Sequence, residues 1–238
     1  MYTNNNINLH LIGKKYLDTL LYVDNLNLSE TNETKQVREC LGGIYNIKDL
    51  DSVSPIYSPV GEKRAIVISE KEKSRRTSIV REVKSMKAKD SYNLCKNLVV
   101  NSDWTHVAYI DDVALPHTLQ PNSVDFSTSK DRRRFSKKLN KCILAFDSRE
   151  RKHLYNGLDL DTIIVLHDEH GCEAIFKNLV ICKYENNPVK NLHVNGAGDI
   201  FAAVFIREYL KSNLTSAVKY SCEITTHILK KRQTNEKV

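Results

Sequence analysis

Apolar positions fall in short runs separated by polar stretches, and the spacing inside each run changes along the chain. Asn8-Leu-His-Leu-Ile12 reads as a strand, and Thr19-Leu-Leu-Tyr-Val23, beyond Gly13, reads as a second extended stretch with β-branched and aromatic side chains. The polar interval Asn25–Lys35 reads as a connection. Leu41-Gly-Gly-Ile-Tyr-Asn46 predicts a turn opening a short helix, stopped by Asp51-Ser-Val-Ser-Pro55 because proline disfavours helical geometry in the residue before it. Arg64-Ala-Ile-Val-Ile68 is a further strand, and the charged stretch Glu70–Arg81 reads as a hairpin or loop. A helical pattern covers Asp90–Asn97, followed by the apolar segments Leu98–Val100, His106–Ile110 and Asn122–Phe126. Lys130–Lys141 is basic and amphipathic and leads into the strand Cys142–Phe146 and a helix over Arg149–Tyr155. Asp161–Leu166 is nearly continuously apolar, as in a strand covered on both faces. Cys172–Tyr184 predicts a hairpin, Ile200–Leu210 and Thr215–Lys230 predict helices, and Lys231–Val238 predicts a frayed tail.

Strands alternating with helical stretches predict parallel crossovers and an α/β fold. No internal repeat and no Pro- or Gly-rich linker divides the chain, so a single domain over residues 1–238 is expected. At 238 residues with 41% hydrophobic and 27% charged side chains, disorder and fibrous structure are excluded. The formal charge of +7 is compatible with an acidic partner, an anionic substrate or a solvated surface, and by itself selects none of them. Cys40, Cys95, Cys142, Cys172, Cys182 and Cys222 form no Cys-x-x-Cys pair and read as buried, reduced thiols of a cytoplasmic protein. No secretory signal is expected at the N-terminus, and apolar runs such as Ile200–Ile206 are far shorter than the roughly 18 residues of a membrane span. The eight histidines have no zinc spacing, and His167 and His170 read as surface residues flanking a loop. Lys130–Lys141 has charge enough for a nucleic-acid backbone, but without interleaved aromatics beyond Phe135 a solvated face is the better reading.

The most informative stretch is Gly196-Ala-Gly-Asp199 before the apolar helix. Glycines let backbone approach a ligand closely, and a helix N-terminus presents unpaired amides and partial positive charge, so Gly196, Ala197 and Gly198 form a candidate anion hole. Asp199 is either a helix cap or a base placed to take a hydroxyl proton.

His193-Val-Asn-Gly-Ala-Gly-Asp-Ile-Phe201 resembles the C-terminal signature of the ribokinase-like (PfkB) carbohydrate kinase family, with His193 and Val194 in place of its aspartate and threonine. Other segments follow in the family's order. Gly13-Lys-Lys-Tyr-Leu-Asp18 is similar to the first strand and substrate-binding turn, with Asp18 matched and Tyr16 where many members have asparagine. Leu41-Gly-Gly-Ile-Tyr-Asn46 resembles the Gly-Gly-x-x-x-Asn segment through Gly42 and Asn46. Asp147-Ser-Arg-Glu150 resembles the Asn-x-x-Glu motif, and Asp161–Leu166 with Gly171 resembles the nucleotide strand and loop, with Leu166 and Asp168 replacing threonine and glycine.

The resemblance implies a three-layer α/β/α domain with a mostly parallel central sheet and a small β lid from about 19–35 and 60–80, trimmed at one sheet edge between Asn46 and Arg64. It implies phosphoryl transfer from ATP, with magnesium, to a hydroxyl of a small sugar- or nucleoside-like polyol. Asp199 is then the catalytic base, and Asp18, Gly42 and Asn46 bind the acceptor. Asn195, Leu166, Asp168 and Gly171 bind the nucleotide, and Asp147 with Glu150 organises magnesium. Asp168 adds negative charge beside the polyphosphate, which predicts weak nucleotide affinity. Exposed lid strands offer edges for a homodimer. The alternative is a binding or regulatory protein that keeps the fold without efficient catalysis.

Overall fold

In the computed structural model one strand, β1 (Ile7–Val23), runs through both stretches that the sequence separates at Gly13, with a register shift in its pairing between Gly13 and Lys15. The structure describes residues 6–27, 29–48, 50–70, 75–84, 101–113, 115–116, 118–126, 129–189, 192 and 194–235. The helical pattern over Asp90–Asn97, the segment Leu98–Val100 and His193 lie outside them. The remaining strands are β2 (Gln36–Gly43), β3 (Val53–Glu70), β4 (Arg75–Lys84), β5 (Trp104–Val107), β6 (Ser123–Asp125), β7 (Leu144–Ser148), β8 (Ile163–Asp168), β9 (Gly171–Phe176) and β10 (Leu179–Glu185). They form one sheet in the order β10-β9-β8-β7-β6-β5-β1-β3-β4, with β2 added to β1. Pairings from β3 through β1 and β5 to β8 are parallel; β2, β4, β9 and β10 join antiparallel. This is an α/β fold with a mostly parallel central sheet.

Two apolar clusters cover the faces of the sheet. Helices α2 (Ala197–Lys211) and α3 (Leu214–Asn235) bury Val204, Phe205, Val218 and Cys222 against Leu9, Phe146 and Val165 on one face. On the other, Phe135, Leu139 and Tyr155, from the short helix α1 (Ser136–Leu139) and neighbouring 3-10 turns, pack on Ile12, Val107 and Leu166. The basic segment Lys130–Lys141 is therefore not a free polar face, because it also sends Arg132 inward. The helix expected over Arg149–Tyr155 is present and is of the 3-10 type.

The strand expected at Arg64–Ile68 begins at Val53, so part of the interval after Asn46 belongs to the sheet. Pro55 and Pro59 are tolerated inside β3 because that half pairs only with β1 among the described residues, leaving its other side without a ladder for proline to interrupt. The outer halves of β1 and β3, flanked by β2 and β4, form a flap whose buried seam is Leu20, Tyr22, Ala65 and Val67. Glu70–Arg81 contributes one arm of that flap, a β3/β4 hairpin. The opposite face exposes Val37, Leu41, Ile66 and Ile79.

The switch in chain direction across the sheet positions the site. β5 pairs with β1 only from Leu9 to Ile12, whereas β2 takes the same strand from Lys15 to Tyr22. From β1 the chain order runs one way through β3 and the other way through β5, β6, β7 and β8. In open α/β sheets the crevice outside the carboxyl ends of the strands at such a reversal receives ligands. Among the described residues, no helix is long and apolar enough to cross a membrane.

Candidate active site

The crevice is built from the carboxyl ends of the parallel strands. Tyr109 follows β5, Asp125 closes β6, Asp147 lies near the end of β7, and Asp168 closes β8. Tyr109 is a non-glycine residue in the left-handed region, at φ 61° and ψ 65°, held there by its amide, which donates to Asp125 Oδ1. Backbone strain of this kind persists only where its surroundings over-determine it. The strained turn aims the phenol at α2, where Tyr109 Oη donates to Asp199 Oδ1 at 3.0 Å.

Asp199 sits in the first turn of α2, and no side chain caps the helix N-terminus. The preceding Gly196 has φ 73°, and a Cβ there would lie 2.7 Å from Asn46 Cγ, so this turn requires glycine both for its dihedral and for the close approach of Asn46. Asn46 Nδ2 donates to Asp199 Oδ2 at 2.6 Å. The carboxylate is thus oriented by two donors from different elements, beside first-turn amides that lack intrahelical acceptors. Those amides and the helix dipole suit a phosphate.

On the flap side, Asp18 is only 6% exposed, and a Cβ on Gly42 would lie 2.2 Å from its Oδ2. Any larger residue at position 42 would displace this carboxylate. Asp18, Asn46 and Asn195 line a cleft of about 760 Å³ together with Arg38, Lys48 and Arg232. Arg232, in the last turn of α3, donates from Nη2 to the Asn46 carbonyl at 2.6 Å. Tyr16, where asparagine was the family expectation, sets its ring edge-on to Tyr109 at 6.0 Å.

The other predicted site residues separate into different environments. Asp147 belongs to a buried ion pair: Arg132 Nε and Nη2 donate to its Oδ2 at 2.9 and 2.6 Å, and Tyr155 Oη donates to the same oxygen at 2.8 Å. Ser148 N reaches Oδ1 at 2.8 Å, and Arg151 Nη1 lies 3.4 Å from it. The Arg132 and Asp147 side chains are both fully buried, which corrects the expectation of Asp147 as a magnesium organiser, because both of its oxygens are already engaged. Burial, reinforced by the Asp147 charge, holds the Tyr155 phenol well above its ordinary value. Glu150 is exposed, and its carboxylate accepts a 3.3 Å hydrogen bond from Ser148 Oγ. Among the described residues, no group of three or more His, Cys, Asp or Glu side chains is arranged to hold a metal ion.

Leu166 is fully buried in the cluster on the face opposite α2, so its side chain fills core. Gly171 opens β9 directly against the Tyr184 backbone. Asn195 lines the Asp18 cleft. Asp168 forms an ion pair with Arg149, whose Nη1 lies 3.4 Å from its Oδ1. His167 is not a surface histidine: it stacks on Phe201 at 4.2 Å, 21° from parallel, and burial lowers its pKa to about 4, leaving the ring neutral at physiological pH. Burial also pushes the Cys142 thiol up to about 12, consistent with an unreactive core cysteine. Tyr109, Arg132, Arg149 and Arg232 carry no signal in the sequence.

Solved structures share this fold across nearly the whole chain. A nucleoside kinase of Methanocaldococcus jannaschii, described as an archaeal member of the ribokinase family, superposes with a TM-score of 0.59 at 14% identity, covering 95% of this chain and 92% of its own. The chain has the ribokinase-like fold. A microbiome-derived acarbose kinase gives a TM-score of 0.61 at 14% identity, with 92% of this chain and 91% of that one covered. A ribokinase of Cryptococcus neoformans in complex with ADP gives 0.58 at 11% identity, with 92% of each chain covered. No protein-family model matches the chain, and no curated protein matches it significantly. The ribokinase-like fold accounts for the position of Gly196–Asp199 at the sheet's reversal point.

Proposed function

We propose that the protein transfers the terminal phosphoryl group of ATP to a hydroxyl of a small hydroxylated acceptor. The observation that carries this reading is the Asp199 carboxylate, oriented by Asn46 and Tyr109 at an uncapped helix N-terminus in the sheet's reversal crevice. Asp18 accepts acceptor hydroxyls in the cleft, and Asn46 joins that cleft to Asp199. Asp199 takes the hydroxyl proton as the acceptor oxygen bonds to the terminal phosphorus and the bond to the leaving ADP oxygen breaks. The amides of Gly196 and Gly198 face the charge on the transferring group, whereas the Ala197 amide is already donated to the Val194 carbonyl. Positioning and electrostatics supply most of the rate in such a reaction. Magnesium arriving with a nucleotide needs only one or two protein carboxylates and neutralises phosphate charge; with Asp147 engaged by Arg132, Glu150 is the carboxylate left for it.

ADP release measured across a panel of sugars and nucleosides tests the reading: acceptor-dependent release is expected, and its absence for every acceptor overturns it. A second reading, a binding protein that retains the fold, is favoured by the close 2.6 Å Asn46–Asp199 contact and by Leu166 turned into the core. It predicts acceptor affinity without turnover.

Tyr109→Phe tests the orientation of the base. A hydrogen bond to a charged group is worth about 1.5–3 kcal/mol, so the variant should lower kcat by about tenfold or more while the acceptor KM changes little. Steady-state kinetics with a saturating nucleotide measure both, and an unchanged kcat would show that Asn46 alone orients Asp199.

A further inference from the structure

Resting on that reading, we infer that His106 and Asp125 are positioning residues for the base, joined to Asp199 through Tyr109. Alternation along two neighbouring strands brings the parts together. Trp104 and His106 on β5 are two apart, as are Ser123 and Asp125 on β6, and His106 lies opposite Ser123 in the parallel register, so all four side chains leave the sheet on one face. That face is the one covered by α2: Trp104 belongs to the apolar cluster around Val204 and Phe205, and the His106 ring lies edge-on to Phe146 at 5.8 Å. His106, Ser123 and Asp125 are all buried. His106 and Asp199 also border one cavity of about 10 Å³ with Leu11 and Ala203, so the network ends beside the base.

Hydrogen-bonding capacity gives the network a direction. The Trp104 indole only donates, and Ser123 Oγ accepts from its Nε1 at 2.7 Å. The serine proton then goes to His106 Nδ1 at 2.8 Å, which leaves the ring proton on Nε2. Nε2 lies 3.8 Å from Asp125 Oδ2, beyond hydrogen-bond length, but with both side chains nearly buried the N–H dipole attracts the carboxylate with little water to screen it. The other carboxylate oxygen, Oδ1, accepts the Tyr109 amide, and Tyr109 Oη donates to Asp199 Oδ1 at 3.0 Å. Tyr109 is the link that needs fixing, since an aromatic residue at φ 61° stays there only while its surroundings hold it. A polar network serving the core alone would end at Asp125. This one continues through the strained turn to the carboxylate at the start of α2.

The test pairs kinetics with a readout that needs no turnover. Asp125→Ala removes the acceptor of the Tyr109 amide and should lower kcat by about tenfold, as Tyr109→Phe does, with the acceptor KM within about twofold of the parent. Asp125→Ala/Tyr109→Phe should be no slower than the slower single variant, because both act through one contact. Asp125→Asn, whose side-chain oxygen still accepts the amide, should recover at least half of the parental kcat. His106→Phe should lower kcat by about threefold, and should add nothing in the Asp125→Ala background. Fluorine NMR of protein carrying fluorotyrosine reports the same link, with the Tyr109 line identified by its loss in Tyr109→Phe. Asp199→Asn should move that line in the parent, move it by half or less in His106→Phe, and leave it in place in Asp125→Ala. An unchanged kcat in Asp125→Ala, losses that multiply in the double variant, or a Tyr109 line that answers Asp199→Asn fully in both backgrounds overturns the inference. If Asp125→Ala does not fold, a full answer in His106→Phe alone overturns it. No ADP release from the parent, with the line behaving as expected, removes the kinase reading and leaves the coupling of His106 and Asp125 to Asp199 standing. Release with an uncoupled line does the reverse.

Discussion

Asp199→Asn is expected to lower acceptor-dependent ADP release by roughly 10²- to 10⁴-fold, the range for loss of a general base, while the protein stays folded. The amide can keep both contacts of the carboxylate. Its oxygen accepts from Asn46 Nδ2, and its NH₂ donates to the Tyr109 hydroxyl oxygen, which tolerates either direction of hydrogen bonding. The first turn of α2 loses a negative charge near the helix N-terminus, at a cost of about 0.3–1 kcal/mol, too little to unfold a domain. A rate loss without a change in thermal unfolding therefore isolates the proton-accepting role. Turnover equal to that of the parent would reduce Asp199 to a structural member of the Asn46–Tyr109 contact.

Arg132→Met should have the largest effect on stability. Arg132 is 1% exposed and its guanidinium meets Asp147 through two donors, while its plane lies 3.8 Å over the Phe126 ring centroid. Removing one partner leaves a carboxylate buried with its main counter-charge gone, a change that costs about 3–5 kcal/mol. Urea unfolding should show a loss of that size. Arg132→Met/Asp147→Leu should be less destabilised than the Arg132 variant, since removing both charges abolishes the desolvated ion. A loss below about 1 kcal/mol would place the pair in solvent-like surroundings and return Asp147 to consideration as a cation ligand.

The strands legible in the sequence include β8, which overlaps Asp161–Leu166 and is largely buried, and the Cys172–Tyr184 hairpin, whose first strand is buried. The boundaries misread at Gly13 and Pro55 share a cause. A local breaker signal was overridden by pairing, because β1 continues past Gly13 on the β3 ladder and Pro55 sits where β3 has an unpaired side among the described residues. His167 was misread because a histidine at a strand end gives no sign that Phe201, on a helix distant in sequence, will cover it.

By itself the sequence determined the α/β alternation and the glycine turn before an apolar helix, since both depend on contiguous residues: side-chain period, glycine's missing Cβ and the unpaired amides of a helix start. Only the tertiary structure decided which carboxylates are available for chemistry. Asp147 and Asp199 each follow a recognisable motif, yet one is bound by a buried arginine and the other is oriented by Asn46 and Tyr109, 153 and 90 residues away. The same holds for the cleft, which is joined by a helix end that reaches 186 residues back to Asn46. The electrostatic role of a side chain depends on what burial and folding bring within a few ångströms of it, and the separation of two residues along the chain does not set that distance.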